Sequence, residues 1–409
     1  MDEEIIEESI ISINFPKEKS GKFETAKVLS LASAHGLHDT YSGFLAPLLP
    51  LMIERLSLLN VQAGLFMVFM QWPSILQPII GHFADRVNFK QLVILAPAVT
   101  AICMSLFPTV NHYWIAALLL IISGLASATL HAVAPAVISN LSGKQLGRGM
   151  SFWIISGEIG VMVGPILITS VVVSFSTNAA PWLMVFGIAA SVFLYFLFKN
   201  IDFIYPGQVA QPIKLSMDGI YKVFLPLAGI LIMRAMLRAA VEIYMPVYLT
   251  ERGASLWLAG ASLTILEGAG ILGILISGIF TDKFGSKPIL LIGLLGSFIM
   301  MYLFLNSSGW QELVFLILLG LISLYIVPIG MTIMQESFPN NRSFANGLYL
   351  AILFIVNSLA GVIMGWMSDS FGSQQAFTIS MYICLLGIPF VFMLPQKATN
   401  SVKIERENP

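Results

Sequence analysis

The decapeptide Gly81-His-Phe-Ala-Asp85-Arg86-Val-Asn-Phe-Lys90 returns 197 residues later as Gly278-Ile-Phe-Thr-Asp282-Lys283-Phe-Gly-Ser-Lys287. Both copies keep a glycine, an acid four residues on, a cation directly after the acid and a closing lysine. Each copy lies between two long apolar stretches. The offset extends beyond this motif: Gly124 pairs with Gly320, Gly149 with Gly347 and Gly164 with Gly361, at separations of 196, 198 and 197. A register held to one residue over that distance marks an internal duplication. Duplicated apolar halves predict two bundles that move about a site between them.

Composition says where such a chain can live. Of 409 residues, 57% are apolar and 11% are Asp, Glu, Lys or Arg, whereas a soluble domain carries about 25% charged residues. So few charges cannot cover a wetted surface of this size, and disordered chains are richer in charge and poorer in Leu, Ile, Val and Phe. Basic and acidic residues balance at 21 against 22 without a long basic run, so no nucleic-acid partner is expected. Cys103 and Cys384 offer neither a disulfide framework nor zinc-ligand spacing, and no metal or cofactor is expected. Neither a phosphate-binding Gly-x-x-x-x-Gly-Lys-Ser/Thr loop, a Gly-x-Ser-x-Gly elbow nor a His-Glu-x-x-His pair occurs. The chain is therefore read as a non-enzymatic membrane protein that draws on an ion gradient or equilibrates its cargo.

A helix needs about 20 mostly apolar residues to cross the hydrocarbon. Twelve stretches qualify: 28–54, 61–83, 91–109, 113–139, 148–175, 179–198, 222–250, 256–280, 288–306, 310–336, 343–368 and 374–394. Their length and lack of alternation predict helices, not barrel strands. The fold expected is all-α, with a six-helix bundle at 28–198, a central loop at 199–221 and a second six-helix bundle at 222–394. Tails at 1–27 and 395–409 flank them. The acidic stretch from Asp2 to Glu8 is unlike a signal peptide. With the N-terminus inside, every one of the 21 cations falls inside except Arg55 and Arg252 outside and Arg234 and Arg238 within a span. Both tails are assigned to the cytosol on that asymmetry.

The paired loop after spans 2 and 8 resembles the signature loop of the major facilitator superfamily, as do twelve spans with a central cytosolic loop. Gly160-Val-Met-Val-Gly164-Pro165 is similar to the Gly-x-x-x-Gly-Pro element of proton-coupled exporters in that superfamily. In span 1, the run from His35 through His38-Asp39 to Pro47 and Pro50 resembles the fosmidomycin-resistance efflux branch, and Gln71-Trp-Pro73 through Gly81 continues the likeness. Span 4 departs from that branch, with Leu130-His131-Ala132 where the branch has His-Pro-Glu-Ala. The resemblance implies alternating access in the plasma (inner) membrane of a prokaryote. It also implies gating by Gly81, Asp85, Arg86, Lys90, Gly278, Asp282, Lys283 and Lys287.

Ionisable groups in hydrocarbon are costly and mark function by default. Asp39 falls near mid-depth of span 1 with His35 four residues before it on the same face and His38 beside it. These three, with Glu158 in span 5 and Glu267 in span 8, are candidates for carrying protons. For the span-1 cluster a polar staple between helices is the other main reading, and a metal site from its two histidines and aspartate has nothing else in the sequence behind it. Arg234, Arg238 and Glu242 form one stripe on span 7, whose excess positive charge calls for a partner acid or an anionic ligand. These three, with His131, Gln71 and Tyr325, are candidates for contacting substrate. The expected protein is a monomeric, proton-coupled carrier of a small anionic or zwitterionic solute, working as an exporter. Import of an organic acid or phosphorylated metabolite by proton symport is the alternative.

Overall fold

The structure, a computed structural model, describes residues 23–84, 87–143, 145–200, 220–337 and 342–395. The expected tails and central loop fall largely outside the described residues, as do Asp85, Arg86 and the side chain of Asp282. The described chain is helical throughout. Eleven helical stretches are long and apolar enough to cross a membrane, and the interrupted first helix adds one more crossing. In the first half, α1 runs over Thr25–Ser42 and Leu45–Leu56, and α2 over Asn60–Gln71 and Gln77–Ala84. Then come α3 (Lys90–Leu106), α4 (Tyr113–Leu141), α5 (Leu146–Phe175) and α6 (Met184–Phe198). In the second half, α7 runs over Leu225–Ala239 and Met245–Glu251, followed by α8 (Leu256–Phe284) and α9 (Ser286–Leu305). The last are α10 (Trp310–Ser323, Ile326–Ser337), α11 (Arg342–Phe371) and α12 (Ser373–Leu385, Ile388–Met393).

Proline chemistry sets most of the interruptions. A proline ring clashes with the carbonyl four residues back and leaves it without an amide partner. Pro47 points back to Gly43, where α1 breaks; Pro328 to Leu324, where α10 breaks; Pro389 to Leu385, where α12 breaks. Pro246 points back to Glu242, and α7 widens there into a π turn over Ala240–Tyr244. Pro97, Pro135 and Pro165 sit inside unbroken helices.

The duplication read from the sequence is visible in the packing. Gly124 of α4 lies against the Met70 carbonyl of α2, and Gly320 of α10 against the Leu266 carbonyl of α8. A methyl group at either glycine would overlap that carbonyl. Two pseudo-symmetric helix pairs, α2 with α11 and α5 with α8, carry most of the packing between the halves. Of the two large buried apolar clusters, the larger crosses between the bundles, joining Phe44, Leu48 and Phe66 to Tyr244, Val247 and Tyr248. The second, with Val28, Leu130, Trp153 and Phe198, belongs to the first bundle alone and sits toward the signature loops. The halves are thus sealed together at the end remote from those loops, hereafter the far end.

Candidate functional site

A cavity of about 140 Å³ lies between the bundles at mid-depth. Its first wall is the proline-broken stretch of α1, with Ser42 and Gly43, together with Gln71 of α2 and Pro165 of α5. The facing wall carries Arg238 and Glu242 of α7, Glu267 of α8 and Asn357 of α11. The π turn created by Pro246 contains Glu242, whose Oε2 accepts from Nε of Arg238 at 2.5 Å. Glu267 and Glu158 add their negative charge to the surroundings of Arg238. Glu242 thus bonds the guanidinium directly, Glu267 of α8 shares its cavity wall, and Glu158 of α5 acts on it as a further negative charge outside that wall. In a medium that screens charge weakly, each acid competes for it.

Arg234 does not join this surface. It is 3% exposed, and its Nη2 donates to the Ser323 carbonyl at 2.6 Å. It shares a small void inside the second bundle with Arg238, Glu242, Ser297 and Ser323. Arg234 and Arg238, four residues apart on the regular helix Leu225–Ala239, keep the stripe expected from the sequence, but Arg238 and Glu242 border both the cavity and the void whereas Arg234 borders the void alone. Tyr325 is also displaced from the expected role. Its hydroxyl donates to the Ile289 carbonyl at 3.3 Å, and its ring borders an apolar crevice between α8, α9 and α10. Gln71 does line the cavity, and its Oε1 accepts from Ser358 Oγ of α11 at 3.1 Å, across the bundle boundary.

The histidines of α1 build a second polar centre, inside the first bundle. His35 stacks on Trp153 of α5 at 3.6 Å between ring centroids, and its Nδ1 donates to the Trp153 carbonyl at 3.0 Å. Its Nε2 lies 3.0 Å from Asp39 Oδ2 and 3.1 Å from Nε2 of His131. His131 arrives from α4, with its own Nε2 3.7 Å from Asp39 Oδ1. Gly157 makes the approach possible, because a side chain there would strike both His35 and Asp39. His38 is fully buried, with Nε2 at 4.0 Å from Asp39 Oδ1.

The far end is locked by residues that sequence reading passed over. Asp369, near the end of α11, accepts from the amides of Asn60 and Val61 at 2.8 and 2.9 Å, capping the free N-terminus of α2. The buried Tyr244 hydroxyl lies 2.8 Å from the Asn60 carbonyl and 3.0 Å from that of Gly361, sharing its proton between the halves. On the other pseudo-symmetric pair, Trp257 Nε1 of α8 donates to Ser170 Oγ of α5 at 3.0 Å. At the signature-loop end, Lys90 Nζ donates to the Lys199 carbonyl at 2.8 Å and Lys287 Nζ reaches that of Phe392 at 3.4 Å. These repeat-related lysines tie the third helix of each bundle to its last. Lys283 stands over the ring of Phe284 at 5.2 Å, and Gly81 and Gly278 have open space where a side chain would go.

Two helical bundles of one pseudo-symmetric design, joined over a polar mid-depth cavity, define an integral membrane transporter. The profile of the Major Facilitator Superfamily matches residues 31–279 and again 227–409, and the chain belongs to that superfamily. It is 22% identical over 375 residues to the fosmidomycin resistance protein of Escherichia coli strain K12, covering 89% of this chain and 91% of that one. Among solved structures it resembles a bacterial homologue of the human lysosomal transporter Spinster in an inward-facing, occupied conformation. That match has a TM-score of 0.77 and 14% identity, over 91% of this chain and 96% of that one. It also resembles the nucleoside transporter NupG, at a TM-score of 0.71 and 17% identity, over 91% and 100% of the two chains.

Proposed function

We propose that this protein is a proton-coupled exporter of a small organic solute that binds in the cavity between the bundles. The observation that carries the proposal is the convergence of Glu242 and Glu267 on Arg238 within that cavity. An acidic group on the solute would displace Glu242 from the guanidinium, and a basic group would find the carboxylates. A zwitterion or an organic acid suits both features. Protonating Glu267 withdraws one claim on Arg238, so proton and solute alter each other's binding at one place. Such differential binding is what antiport requires.

Direction rests on two supports. The cation asymmetry puts the signature-loop end in the cytosol, so that the sealed far end faces outward. The similarity to a resistance protein favours removal of the cargo from the cell. Solutes are found by a thermal-shift screen of organic acids, zwitterions and phosphonates on the purified protein at two pH values. A stabilising solute is then followed in proteoliposomes. Movement should require an imposed pH gradient, and Glu267→Gln should abolish gradient-driven movement while sparing counterflow exchange. Equal loss of both activities would assign Glu267 to binding or folding and remove it as the proton carrier.

A further inference from the structure

The cluster of His35, Asp39 and His131 has a property that its spacing in the sequence does not disclose. A backbone carbonyl only accepts. His35 Nδ1, 3.0 Å from the Trp153 carbonyl, is therefore the protonated ring nitrogen. His131 Nδ1, 2.9 Å from the Ser127 carbonyl, is protonated for the same reason. A neutral imidazole has one N–H, so both Nε2 atoms present bare lone pairs. Those lone pairs and the Asp39 carboxylate face one another at 3.0, 3.1 and 3.7 Å. Three acceptors turned inward on one point repel each other unless a cation stands among them.

We infer that His35 Nε2, His131 Nε2 and an Asp39 carboxylate oxygen form a binding site for a divalent transition-metal ion of the zinc and cobalt class. Bonds of about 2.0–2.2 Å to nitrogen and carboxylate oxygen put the ligands of one ion roughly 3–3.5 Å apart. His35 Nε2 has that spacing to Asp39 Oδ2 and to His131 Nε2, and His131 Nε2 stands slightly farther, 3.7 Å, from the other carboxylate oxygen. The two Nδ1–H···O=C bonds are the outer contacts that fix ring orientation at imidazole metal sites. The donor set of two imidazoles and one carboxylate leaves a position for water, consistent with the partial exposure of His131, 33% of its side chain. His35 and Asp39 come from α1 and His131 from α4, so a bound ion would pin these two helices together. The site is distinct from the Arg238 cavity, and the proposal stands apart from the transport reading.

The test uses the full-length protein, purified without a histidine tag. Co²⁺ is titrated and read by its d–d absorption, and Zn²⁺ is titrated by equilibrium dialysis. The site predicts one tight equivalent of metal. His131→Ala should weaken binding by about a hundredfold or more, since even outer-shell losses cost 10- to 100-fold, and the exposed His112→Ala should leave it unchanged. His131→Cys keeps a ligand at the same place. Its Co²⁺ complex should show a thiolate-to-cobalt charge-transfer band in the near ultraviolet that the wild type lacks, which separates coordination from a folding defect in the alanine variant. The proposal is overturned if no equivalent binds, the result expected were a single proton the only cation held there. Binding that survives His131→Ala, or a His131→Cys complex without the band, overturns it as well.

Discussion

Arg238 and Glu242 illustrate what a charge at mid-depth demands. Each side chain is mostly buried, and the pair is bonded at 2.5 Å. Removing one partner leaves the other charge uncompensated, whereas removing both leaves neither. Arg238→Ala and Glu242→Ala should each lower the unfolding temperature in detergent. The double variant should lose less than their sum, with a coupling of about 1–3 kcal/mol. Simple additivity in the melting curves would mean the contact is not energetically real. The same residues show what sequence can disclose. Arg238 and Glu242 are four apart on a helix, as are His35 and Asp39, and such pairs are legible because helix geometry alone brings them together. His131 is different: it reaches His35 from 96 residues away, and only the approach of α4 to α1, over Gly157, creates the cluster. The different surroundings of Arg234 and Arg238 were equally hidden. Helical periodicity puts them on one stripe, where they stay, and only the packing of other spans decides that Arg238 borders the cavity while Arg234 bonds the Ser323 carbonyl.

At the scale of elements, the lock at the far end joins two helix ends by backbone chemistry. The first amides of α2 have no intrahelical acceptor, and Asp369 supplies one from the opposite bundle. A carboxylate there also meets the positive end of the helix dipole. Asp369→Asn keeps the size but loses the charge and turns an N–H toward one of the amides. The closed far end should lose about 1 kcal/mol or more, which shifts the population toward opening by roughly fivefold at 1.4 kcal/mol per tenfold. Spin labels at Asn111→Cys and Ser308→Cys, two exposed far-end positions in different halves, should report a larger share of long distances in the variant. An unchanged distance distribution would reduce Asp369 to a local cap. Sequence could not supply this contact, because Asp369 and Asn60 stand 309 residues apart and nothing in either neighbourhood names the other. The breaks in α1, α10 and α12 were within reach, since each follows from a proline and the carbonyl four residues before it.

At the scale of the molecule, duplication makes the two halves mechanical counterparts. The α2–α11 and α5–α8 pairs are exchanged by the pseudo-symmetry, so the far end is held by two seams that must part together for the cavity to open there. One seam carries Asp369 and Tyr244; the other carries the Trp257–Ser170 bond. Alternating access requires both to separate in each cycle. A covalent bridge across either seam should then stop transport without disturbing the cavity. In Ser170→Cys/Trp257→Cys, treatment with a short bifunctional maleimide should abolish solute movement in proteoliposomes. Binding of the same solute, read by thermal shift, should persist. Either single variant, treated alike, should keep transporting, and the buried native Cys103 and Cys384 should escape reaction. Transport that continues after complete cross-linking would mean that the far end need not open. The rocking of two bundles, which the repeated Gly-x-x-x-Asp loop first suggested, would then be the wrong motion for this molecule.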